Sequence, residues 1–181
     1  DSALSRALAT LFEPSPILLS EVVPALHQEL TEPTTRPSSL TYYSLIDLAN
    51  HTLSSLTPSL QASFVGAHPR IGEVNGLSRL SASEQASRAT PPKVLDRLAV
   101  LNAAYEHRYV GLRYITFVNG RSRKEIMEEM EEALGVGKED IDLEAIDREE
   151  VEGESWLREL ERAVEDVGKI AKSRLRALGV D

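Results

Sequence analysis

The sequence predicts an all-α fold: a single-domain helical bundle of about 7–9 helices, with one extended core segment near residues 112–118. Three observations carry this. Apolar residues recur at three- and four-residue spacing over most of the 181 residues. Prolines and glycines fall where such runs should begin or end. Only Leu112–Val118, Leu-Arg-Tyr-Ile-Thr-Phe-Val, reads as β-like, and no second strand is evident to pair with it.

The elements follow in order. A first helix is expected over about Ser2–Leu11, stopped by Glu13-Pro14-Ser15-Pro16, and a second from Pro16 to about Leu30. Thr31–Ser39 is a polar, proline-broken loop. Leu40–Leu56 places Leu45, Leu48, Ala49, Leu53 and Leu56 at helical spacing, and Pro58 opens a short helix that ends before His68. Pro91-Pro92 suits the first turn of a helix whose buried face is Val94, Leu95, Leu98, Leu101, Asn102 and Tyr105. Asn119-Gly120 turns the chain. Ser122-x-x-Glu125 then fits a capping box opening a helix over Lys124–Leu134, with Gly135 as its stop. After a loop through about Glu150, the last helix runs from near Ser155 to Leu178. No repeat or second domain interrupts residues 1–181.

Composition narrows the function. The absence of cysteine excludes disulfides and thiolate chemistry and fits an intracellular protein. The four histidines are scattered without a metal-ligand spacing, so no metal is expected. The net charge of −9 is concentrated in residues 121–166, where 18 acids face 7 bases; this reads as a solvated helix face and loop. An acidic chain with 5% aromatics argues against nucleic-acid binding, and no apolar run is long enough for a membrane span. Gly135-Val136-Gly137-Lys138 lacks the rest of a phosphate loop, and Asp140-x-Asp142-x-Glu144 lacks the glycine of a calcium loop. Arg121-Ser122-Arg123-Lys124 reads as a small basic surface cluster.

Three residues carry chemistry. His68 lies on a proline-stiffened turn, Ala67-His68-Pro69-Arg70-Ile71-Gly72, as either a turn residue or an acid–base group. Ser81-x-x-Glu84 fits a capping box, and a carboxylate held there could also orient a histidine. Arg174 is the unusual one. At about 100° per residue, Trp156, Leu160, Ala163, Val167, Ile170 and Leu178 all fall within about 40° of it. A cation in mid-stripe should be buried or line a cavity, partnered by an internal salt bridge or an anionic ligand, unless it snorkels out near the helix end.

The ordered set Leu11-Phe12-Glu13-x-Ser15-Pro16, Ala67-His68-Pro69, Ser81-x-x-Glu84-Gln85, Leu101-Asn102-x-x-Tyr105 and Lys169-Ile170-Ala171-x-x-Arg174-Leu175 resembles the OHCU (2-oxo-4-hydroxy-4-carboxy-5-ureidoimidazoline) decarboxylases of urate degradation. His-Pro-Arg-Ile-Gly with Gly-Leu-Arg-Tyr-Ile-Thr-Phe-Val-Asn-Gly-Arg is most similar to the fungal branch. The resemblance implies a homodimer and cofactor-free decarboxylation of the small-molecule substrate OHCU to (S)-allantoin. It implies His68, Glu84 and Arg174 as the catalytic set, and Pro69, Ser81 and Gln85 as substrate-contacting. The segment Ile115, Thr116 and Phe117 matches one that offers backbone groups to the ligand. The chain departs from the family pattern in three places: Arg70-Ile71 stands for the usual Asp-Leu, Val110-Gly111-Leu112-Arg113-Tyr114 for a Phe-Gly-Phe-Pro-Phe stretch, and the spacing from His68 to Glu84 is shorter.

These departures motivate two other readings: a non-catalytic helical dimer or binding protein that keeps the fold, and a related lyase acting on a different ureido acid. Gly179-Val180-Asp181 is not a peroxisomal tripeptide, and either a cytoplasmic or a peroxisomal placement is compatible with the sequence.

Overall fold

The computed structural model describes residues 2–34, 37, 39–73, 80, 82 and 90–179. Among these residues there are seven α-helices and no strand. They are α1 (Ala3–Phe12), α2 (Val23–Thr31), α3 (Tyr42–Ser54), α4 (Pro58–Val65), α5 (Pro92–Arg108), α6 (Arg123–Leu134) and α7 (Glu154–Ala177). A short 3₁₀ turn spans Leu143–Ala145.

Local chemistry accounts for the boundaries. Ser2 caps α1 by accepting from the Ser5 amide, and Thr41 with Ser44 closes a capping box on α3. The Ser122–Glu125 box opens α6 as the spacing predicts, and Gly135 ends it at φ 66°, ψ 28°. The second expected helix is not uniform. Leu18–Val22 is a π-helical segment leading into α2, with the Val23 amide donating to the Leu18 carbonyl. Pro24 explains the widening: it has no amide to donate, and its ring would press on the Ser20 carbonyl in a regular helix.

The longest helix, α7, is the pillar of the bundle, packing against α1, α3 and α4. Gly168 permits the close approach to α3, since a Cβ there would come within 3.0 Å of the Asn50 side chain. The apolar stripe behaves as its period requires through Val167, and Arg174 is buried within it. Ile170 is only half-buried, and Leu178, past the end of the helix, is exposed.

The β-like stretch forms no sheet. It crosses the core in extended form, burying Leu112, Tyr114 and Ile115. Side chains of α7 and the following turn serve as its hydrogen-bonding partners. Arg162 Nη1 donates to the Ile115 carbonyl at 2.9 Å, the Phe117 amide donates to Asp166 Oδ2 at 3.1 Å, and Arg121 donates to the carbonyls of Phe117 and Val118. The basic cluster is thus not simply surface: Arg123 is buried, and Arg121 is tied inward to the segment and to Glu129.

Candidate active site

The turn after α4 places His68 inside the protein. The last turns of α4 bury Phe64 and Val65, and the chain leaves the helix at Gly66 with the His68 amide donating to the Val65 carbonyl. Pro69 then holds His68 out of helical geometry. The imidazole packs against Phe64, ring centroids 5.5 Å apart, and Phe64 in turn meets Phe12 of α1 edge-on at 6.4 Å. His68 is 3% exposed; neither ring nitrogen makes a hydrogen bond of good geometry among the described residues, though the Phe64 carbonyl one turn back lies near enough to favour a proton on the ring weakly.

Such a group disfavours its charged form. Burial lowers the His68 pKa to about 4, and the Arg174 cation pushes it the same way, against the opposing pull of the Glu13 carboxylate. The imidazole is therefore neutral at neutral pH, with one nitrogen carrying a lone pair and the other a proton. Buried polar atoms without partners are rare in native folds, and an open donor and acceptor in one ring point to a ligand.

Arg174 reaches this region from α7 and is 3% exposed. Its Nη2 pairs with Glu13 Oε1 at 2.8 Å, and its Nη1 donates to the Leu11 carbonyl at 3.2 Å. Of the two kinds of partner foreseen for a mid-stripe cation, the internal salt bridge is present. Glu13 is the site residue that sequence reasoning missed. Its segment reads as a helix stop and as the first block of the ordered motif set, with no role attached to Glu13 itself. Yet Glu13 is 5% exposed and adopts φ 68°, ψ 137°, a conformation that an L-residue holds only when its surroundings enforce it. That geometry turns the carboxylate back toward α7. Ser15 then accepts from the Leu18 amide and restarts the helix.

The remaining predicted positions divide. Pro69 adjoins His68 and is half-buried. Ser81, Glu84 and Gln85 lie outside the described residues. Thr116 and Phe117 line a different cleft, of about 530 Å³, walled also by Tyr105, Tyr114, Arg162 and Asp166; neither His68 nor Arg174 borders it. Its charges are mutually paired. Arg162 meets Glu159 at 2.6 Å and Asp166 at 3.3 Å, and Tyr105 donates to Glu159 at 2.6 Å, so burial and that carboxylate raise the phenol well above its usual range. The backbone groups of Ile115 and Phe117 noted above are engaged within the protein.

Among the described residues no group of three or more His, Asp or Glu is placed to hold a metal ion, and no helix is long and apolar enough to cross a membrane. No curated protein sequence matches the chain at a significant level. Among solved structures, a crystal structure of (S)-allantoin synthase superimposes with a TM-score of 0.57 at 18% identity, over 96% of this chain and 48% of that one. The fold is shared, and this chain spans about half the length of that protein. The profile of the family described as OHCU decarboxylase matches residues 1–176, essentially the whole bundle with His68 and Arg174 in it, and on that match the chain belongs to the OHCU decarboxylase family.

Proposed function

We propose that the protein decarboxylates OHCU to (S)-allantoin in urate degradation, with His68 as the acid–base group. One observation carries this reading: a buried, neutral imidazole with no well-formed hydrogen bond to either nitrogen among the described residues, beside a buried guanidinium. The family match and the shared fold support it.

The chemistry needs little beyond position. When the bond from C4 to the carboxylate breaks, carbon dioxide leaves and the electron pair forms a C4–C5 double bond, displacing the ring C=N electrons onto nitrogen, which takes a proton. The C4 hydroxyl then loses its proton as the carbonyl forms, and C5 gains one. A neutral His68 suits the first of these last two transfers, since it can accept the hydroxyl proton without first losing its own. Its conjugate acid is strong, because burial and Arg174 disfavour the imidazolium, so the proton is readily passed on. Delivery to one face of C5 would fix the configuration. Such positioned acid–base help is worth about 10²–10⁴-fold.

Arg174 is assigned to an oxygen at the ring or ureido edge of the substrate. Gripping the departing carboxylate would stabilise the ground state and oppose its loss. The Glu13 pair leaves the guanidinium fixed in direction, which is what orientation of a planar ligand requires. Glu84 is proposed to orient His68, with Ser81, Gln85 and Pro69 contacting the substrate, all by their match to the family motifs. A homodimer belongs to the same reading, and light scattering on the purified chain tests it.

The functional test mixes the protein with freshly generated OHCU and follows the circular dichroism of (S)-allantoin. Wild type should outpace the spontaneous reaction, and His68→Asn should return it to within about tenfold of background.

A further inference from the structure

We propose that Arg113, held by Glu106, is a positioning residue for His68, an inference that rests on the reading of His68 as the acid–base group. The His68 ring makes no well-formed hydrogen bond among the described residues, with only the Phe64 carbonyl weakly within its reach. Its placement is therefore set by packing on Phe64 and by whatever fixes its backbone. Arg113, on the crossing segment, donates through Nη1 to the His68 carbonyl. Its Nε lies 3.9 Å from Glu106 Oε1 on α5.

The same carboxylate takes the fork of Arg70, Nε and Nη2, at 2.7 and 2.8 Å. One turn earlier on the same face of α5, Asn102 Nδ2 donates to the Ile71 carbonyl at 3.0 Å. One turn earlier again, Leu98 packs against Gly72, where a Cβ would sit 3.1 Å from Leu98 Cδ1. The face Leu98–Asn102–Glu106 thus fixes residues 70 to 72, and Arg113 extends that hold to residue 68 itself. Arg70 and Arg113 stand at two of the places where the chain departs from the family pattern. They meet on one carboxylate, so the two departures are a single coupled feature.

These contacts hold the His68 backbone, and the Arg113 cation also weakly favours the neutral imidazole, so Arg113→Met removes both effects whereas Arg113→Lys keeps the charge. A misplacement of about 1 Å in a catalytic group can cost about 100-fold. Arg113→Met should lower kcat by about 10–100-fold with KM changed by less than about threefold, and Arg113→Lys, which can still donate to the carbonyl, should recover part of it. Glu106→Gln should fall between them. Arg97→Met is the control. Arg97 lies on the same helix as Glu106 but nine residues and so about 180° away; its loss breaks a part-buried ion pair with Glu131 of α6 and should change stability but not kcat.

The ring itself is read independently by NMR: His68 resonances should move in Arg113→Met, return towards wild type in Arg113→Lys and stay put in Arg97→Met. Wild-type kcat and unshifted His68 resonances in folded Arg113→Met would overturn the proposal, as would an equal loss of kcat in Arg97→Met. If wild type fails to accelerate OHCU decarboxylation, the functional reading falls, and the NMR comparison alone decides whether Arg113 places His68.

Discussion

His68 and Arg174 make opposite demands on the same interior: one must stay neutral, the other charged. For His68 the sign of the effect on stability is fixed. Its folded pKa of about 4 lies below the ordinary 6.5, so between those values the unfolded chain takes up a proton that the folded chain refuses. Stability should fall as pH drops from about 6.5 to about 4, by about 3 kcal/mol over the window. Urea titrations at pH 7 and pH 5 should show this slope reduced in His68→Asn. For Arg174 the demand is a partner. Glu13→Ala leaves a buried guanidinium without its carboxylate and should cost about 3–5 kcal/mol in the same assay, with Glu13→Gln costing less. Arg174 was legible because helical period alone puts it among Trp156, Ala163 and Val167. Glu13 was not. Its partner is 161 residues away, and the positive φ that aims its carboxylate leaves no mark in a stretch that reads as a proline-rich helix stop.

The elements were legible where they end in local chemistry. The Ser122–Glu125 capping box, Pro92 and Gly135 set boundaries that depend on a few adjacent residues, and Ser122→Ala should cost about 1 kcal/mol by thermal unfolding. What was not legible needed a neighbour. The π-helical segment before Pro24 depends on how the chain accommodates a missing amide, for which sequence periodicity offers no distinct signal. The crossing segment was legible as extended and unpaired, but not that Arg162, Asp166 and Arg121 would serve as its hydrogen-bonding edge. The turn after His68 makes the sharpest demand on a single position. Gly72 has φ +83° and lies against Leu98, so Gly72→Ala should lose about 1–2 kcal/mol, and more if Leu98 cannot shift. Because that turn carries His68, the same variant should lower kcat more than its effect on the melting temperature alone would suggest.

Across the whole molecule, α7 joins the packing of the bundle to its interior polar pair. Its apolar stripe holds α1, α3 and α4, its polar edge ties down the crossing segment, and Arg174 near its C-terminal end meets Glu13 beside His68. The bundle thus brings residues from the beginning, middle and end of the chain to one interior point, which is why no short motif reveals the site and only their order does. The central claim is that this point performs decarboxylation with a neutral histidine. The measurement that tests it most directly is the pH dependence of kcat/KM for freshly generated OHCU, corrected for the spontaneous rate, in wild type and His68→Asn. Wild-type activity should hold from pH 7 to pH 5 and fall only towards pH 4, with His68→Asn near background throughout. Activity in His68→Asn equal to wild type, or a wild type no faster than the spontaneous reaction, would contradict it.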